Sequence, residues 1–92
     1  MSNLLKLEEN LRTDAVAGLF SNISEYRGQD LTLNAGKVRF LGGLCFQVLL
    51  AARRQWAADG CKLDLEAVSK DLAAEMTRFG LSPDEFREGP AS

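Results

Sequence analysis

The chain has 92 residues, 46% of them hydrophobic, with 11 basic against 13 acidic residues and a net charge of −2. That is enough for one compact domain and too little for two, and it argues against a general electrostatic attraction to nucleic acid or to an anionic membrane. There is no histidine, so the commonest general base, the commonest zinc ligand and the usual partner of a Ser or Cys nucleophile are missing.

Taken in order, Leu5 and Leu7 alternate with Lys6 and Glu8 as a first short strand, and Leu11 closes it into the next turn. Thr13 or Asp14 is placed to cap a helix in which Val16, Leu19, Phe20 and Ile23 form an apolar stripe, and Gly28 ends it. Leu31 and Leu33 alternate with Asp30, Thr32 and Asn34 as a second strand, stopped by Asn34-Ala35-Gly36.

The organising stretch follows, VRFLGGLCFQVLLAARRQW from Val38 to Trp56. An extended entry (Val38, Phe40, Leu41) and a Gly42-Gly43 turn lead into a helix that is apolar on almost every side. Cys45, Val48, Leu49, Ala52 and Trp56 share one stripe, the spacing of a face packed on a core. Phe46 and Leu50, with Arg53 and Arg54 beyond them, are a surplus that serves a partner or packs under the last helix or the first strand.

Asp59-Gly60 stops that helix, and Cys61, Leu63 and Leu65 alternate as a third strand. Ser69 can cap a last main helix with Leu72, Met76 and Phe79 buried, ended by Gly80 and Leu81. Ser82-Pro83-Asp84-Glu85 predicts one more helical turn anchored by Phe86. The β-α-β-α-β rhythm gives a single α/β domain over residues 1–88, its mixed or mostly parallel sheet carrying helices mainly on one face, with 89–92 a flexible tail.

Catalysis finds little support. Glu8, Glu9, Asp30, Asp64 and Glu66 sit on strands or in turns as solvated charges, and the sharp turn carries Gly-Gly where a nucleophile would stand. No enzyme and no cofactor are expected. Cys45 and Cys61 lack metal-site or disulfide-framework spacing and read as small buried hydrophobes. The Gly42-Gly43 turn at a helix N-terminus could hold an anion, but it lacks the lysine and hydroxyl of a P-loop and does not match GxGxxG. No apolar run approaches a membrane span, and Lys6, Glu8, Glu9 and Arg12 interrupt any signal-like stretch; a cytoplasmic protein without direct membrane insertion is expected.

The run DLTLNAGKVRFLGGLCFQVLLAARRQWAADGCKL resembles the STAS domain family, named for sulfate transporters and anti-sigma-factor antagonists. There a strand near an Asp leads through a small-residue turn to V-x-F-[IL]-D-[ST]-x-G-L and a helix rich in Val and Leu. Leu31 to Asn34 match the strand, Val38, Phe40 and Leu41 the apolar positions, and Gln47 to Ala52 the helix. The likeness runs in element order from about Leu4 to Leu81 and is specific from Asp30 to Gly60.

The family usually has Asp and a phosphorylatable Ser or Thr where this chain has Gly42 and Gly43, and no Ser or Thr occurs between Asn34 and Gln47. The resemblance therefore implies a non-enzymatic protein-binding module that cannot be phosphorylated at the usual site, Gly43. It also implies docking through Gly42, Gly43, Phe46, Gln47, Leu50 and Arg54. Two readings follow. One is a signalling adaptor like an anti-sigma-factor antagonist, of the kind that accompanies bacterial chemotaxis or two-component systems, with a kinase-like or receiver protein as partner. The other is the STAS subunit of an ABC-type lipid-transport complex, bound to its ATPase. A homodimer stays open.

Overall fold

The structure is a computed structural model and describes residues 3–82 and 86. The elements are β1 (Asn3–Lys6), β2 (Asn10–Leu11), a 3-10 turn (Thr13–Ala15), α1 (Val16–Ser24), β3 (Leu31–Asn34), β4 (Phe40–Leu41), α2 (Gly43–Ala58), β5 (Leu63–Glu66) and α3 (Lys70–Arg78).

β1, β3 and β5 form a parallel sheet with β3 in the middle, and Leu5, Leu33 and Leu65 stand in one row across it. Alternation decides which face is covered. Leu31, Leu33, Leu63 and Leu65 are buried, whereas Leu4, Lys6, Asp64 and Glu66 on the other face are exposed. The helices therefore lie on one side, as the strand patterns predict. The Asp30 carboxylate joins the strand starts by accepting the Lys62 N–H at 2.8 Å, so this acid has a structural task that a solvated-surface reading misses.

α2 buries Cys45, Phe46, Leu49, Ala52 and Trp56. Its end is closed twice over by the backbone: Gly60, at φ +72°, donates to the Ala57 carbonyl, and Cys61 donates to that of Trp56 at 2.9 Å. α3 ends the same way, with Gly80 at φ +94° and Leu81 N–H on the Met76 carbonyl. At its start the Ser69 hydroxyl accepts the Leu72 N–H at 3.1 Å, the expected cap.

Four expectations change. Neither Thr13 nor Asp14 caps α1, because the chain enters through the 3-10 turn, in which Ala15 donates to the Arg12 carbonyl. Phe20 is 61% exposed: the nine-residue α1 packs on the core through Leu19 and Ile23, with Val16 partly buried beside them, and Phe20 stands outside that narrow seam. Phe79 is 41% exposed at the last turn of α3, where the chain is already leaving the core. Cys61 is half-buried and precedes β5, while Cys45 is buried as expected. The turn expected at Pro83 to Glu85 and the tail at 89–92 lie outside the described residues, although Phe86 is buried and its N–H bonds the Ser82 carbonyl.

Candidate partner-docking surface

The start of α2 is assembled by a contact remote in sequence. β2 and β4 pair in parallel, Leu11 beside Leu41, which sets Arg12 and Thr13 next to the Gly42-Gly43 turn. The Gly42 N–H donates to the Leu11 carbonyl at 2.9 Å, and the Cys45 thiol donates to the Arg12 carbonyl at 3.3 Å.

The two glycines differ in kind. A Cβ on Gly42 would stand 3.1 Å from the Leu11 carbonyl oxygen and 3.4 Å from the Phe40 ring. A side chain there would press on the Leu11 backbone, which would have to give by a few tenths of an ångström. A Cβ on Gly43 would meet only Phe79, at 3.9 Å, an ordinary contact. Nothing inside the domain keeps position 43 bare.

Of the residues that sequence nominated, Gly43, Gln47 and Arg54 are exposed and Leu50 is half-exposed. They recur at i, i+4, i+7 and i+11, so they form one solvent stripe of α2. Gly42 is half-buried beneath its start. Phe46 is the correction. It is 2% exposed and stacks on Phe79 with ring centroids 5.0 Å apart, so it belongs to the core, and its contribution to any surface is to hold Phe79 in place.

The exposed apolar residues are others. Leu44 (55%) and Phe79 (41%) are exposed beside Gly43, Phe40 (46%) is exposed against Gly42, and a shallow open groove runs between Thr13, Leu44, Gln47, Leu50 and Phe79. Leu44 was legible as part of an apolar edge. Phe79 carried one signal in the sequence, its place just before the α3 glycine cap, where a side chain turns outward.

Charge around this groove is uneven. α2 has no capping side chain at its start, and none of its 16 residues is acidic. Its first helical bond runs from the Phe46 N–H to the Gly42 carbonyl. Arg54 makes no ion pair among the described residues and lies one turn past Leu50. At the other end, Arg12 lies over the Phe40 ring at 5.8 Å, and Glu8 and Asp14 share a surface hollow with it. The field of these two carboxylates reaches into α2: the Cys45 thiol is pushed up from its ordinary value of 9.0, first by burial and then by Asp14 and Glu8. A raised thiol is a poor nucleophile.

Among the described residues no three His, Cys, Asp or Glu side chains gather as metal ligands, and no helix is long and apolar enough to cross a membrane. The surface offers apolar contact and rim charge, the ingredients of protein docking. Compared with known proteins, residues 2–83 match the family described as "Mlab, STAS domain", a span that includes every element from β1 to α3. No curated protein and no solved structure matches the chain. STAS domains are generally non-enzymatic regulatory modules that commonly bind regulatory proteins. With the parallel sheet, the one-sided helices and the matched span together, the chain belongs to the STAS domain family.

Proposed function

We propose that this protein is a non-enzymatic docking module that holds a regulatory protein against the start of α2. The observation that carries the reading is the exposure of Leu44 and Phe79 beside a Gly43 that no internal contact requires, with Phe40 exposed against the neighbouring Gly42. Three large apolar side chains exposed together are costly on a small surface and are the usual anchors of an interface. A bare Gly43 lets a partner's backbone approach closely beside Leu44 and Phe79. Gln47, Leu50 and Arg54 extend the contact along the helix, and Arg54 at the rim acts on association rate more than on affinity.

Gly43 also removes the usual acceptor hydroxyl, so binding is regulated through the partner or through abundance. The leading reading is a signalling adaptor resembling an anti-sigma-factor antagonist, with a kinase-like or receiver protein as partner. The same glycine favours a second reading, a permanently docked STAS subunit on the ATPase of an ABC-type lipid-transport complex, because a constitutive subunit needs no switch.

The test is affinity capture from the cytoplasm of the source cell with wild type beside Leu44→Asp, each checked by thermal unfolding. A partner lost from the folded variant supports the surface, and its identity as a kinase-like or receiver protein or an ABC ATPase chooses between the readings. A partner retained by the variant removes this surface from the function.

A further inference from the structure

Helices α1 and α2 each carry an apolar residue of the expected core stripe that the fold leaves uncovered, and both line the same cleft. Phe20 of α1 is exposed and Val48 of α2 is only half-buried. Between them the two helices leave an open space of about 170 Å³, floored by Ala51 and Ala52 and sharing no residue with the groove at Leu44 and Phe79. A closed apolar cavity of about 150 Å³ is room enough for a benzene ring. The two small alanines in succession are what keep the space open.

The cleft changes character along its length. Val48 and Gln55 are seven residues apart on α2, roughly 10 Å along the helix axis. Phe20 and Val48 make one end apolar, while Arg27 and Gln55 line the other, with the Ser24 hydroxyl one turn before Arg27. Asp59, just beyond, ties the helices together at this polar end: the Gln55 side-chain amide donates to it at 3.0 Å, and the Arg27 Nε lies 3.6 Å from it. That contact uses the Nε of Arg27 and leaves its Nη donors for an incoming anion. No acidic residue lines the cleft.

We propose that this cleft binds a single-chain amphiphilic carboxylate of medium length, its head group on Arg27 and Ser24 and its alkyl chain lying over Ala51 and Ala52 toward Phe20. The alkyl chain takes the volume that the protein's own side chains leave empty and covers Phe20 and Val48. The carboxylate answers the guanidinium through charge-assisted hydrogen bonds, which a neutral head group cannot match, and an ammonium head group meets Arg27 as a like charge. The site lies apart from the start of α2 and does not rest on the docking reading.

Octanoate is the probe, titrated into the full chain and followed by amide chemical shifts in nuclear magnetic resonance spectra. The expected result is saturable binding with a Kd of about 0.1–1 mM, the range for a ligand of about ten non-hydrogen atoms, with the shifts confined to the facing sides of α1 and α2. Trp56 is the single tryptophan and lines the cleft, so its emission should follow the same curve. Ala51→Leu, at an exposed position, should abolish binding while thermal unfolding stays as in wild type. Arg27→Gln, also at an exposed position, should weaken octanoate about tenfold and leave octanol unchanged, and octylamine should not bind. Shifts that fail to saturate, shifts centred on Leu44 and Phe79, undiminished binding by Ala51→Leu, or an Arg27→Gln variant that holds octanoate as well as wild type each overturn the proposal.

Discussion

The two ends of α2 are built on opposite plans. At its finish the backbone and side chains answer one another: Gly60 and Cys61 take the Ala57 and Trp56 carbonyls, Gln55 donates to Asp59 at 3.0 Å, and the Trp56 indole N–H donates to the Gln29 carbonyl at 2.7 Å. At its start no side chain caps the helix, no acid stands in its own first turn, and Leu44, Phe40 and Phe79 are all exposed. One end spends its chemistry on holding the domain together. The other leaves chemistry over, and a helix terminus left open at an apolar patch is where a second molecule has most to gain.

The contrast can be broken first at the closed end. Trp56→Ala removes a buried indole and its hydrogen bond, and urea unfolding should show a loss of about 3–5 kcal/mol. The Gly42-Gly43 pair sharpens it next. Gly42→Ala drives a methyl to within 3.1 Å of the Leu11 carbonyl and should cost about 1–3 kcal/mol in the same assay. Gly60→Ala, which has open space but a φ of +72°, should cost about 1 kcal/mol through backbone strain alone.

Cys45 gives a pH test of the open end. Its folded thiol titrates above its ordinary value, so the unfolded chain releases that proton first. Its contribution to stability is intact below pH 9.0 and is lost as pH rises from there through the folded value. Cys45→Ala should flatten that alkaline decline in a series of urea midpoints, and in the native wild type Cys45 should resist alkylation.

The smallest stability effect belongs to Gly43→Asp. A carboxylate in the first helical turn should stabilise the fold by about 0.3–1 kcal/mol. The same side chain fills the gap between Leu44 and Phe79, so thermal unfolding should rise slightly while partner capture fails. A variant that is more stable and still binds would show that the bare position serves no partner.

Sequence made the α/β order and the strand β3 legible because period-2 alternation and the helical stripe are local consequences of one covered sheet face. Glycine stops were legible for a related reason. Gly60 and Gly80 follow the ends of α2 and α3 at positive φ, which other residues adopt at a cost, whereas α1 already ends at Ser24, four residues before Gly28. The family likeness followed from the same stretch, Asp30 to Gly60, since it is there that strand, turn and helix are specified together.

Tertiary structure decided which apolar residues face solvent. Phe46 and Leu44 lie two positions apart on one helix and are equally apolar in sequence, yet α3 arrives over Phe46 and leaves Leu44 bare. The two-residue ladder of β2 and β4 joins residues 30 apart, and only that pairing brings Thr13 beside Gly43 and crowds Gly42 against the Leu11 carbonyl. Periodicity reports that a side chain is apolar and which way a helix can turn it. Which neighbour covers it depends on chain segments remote in sequence, and those were fixed only when the sheet, the ladder and α3 closed around α2.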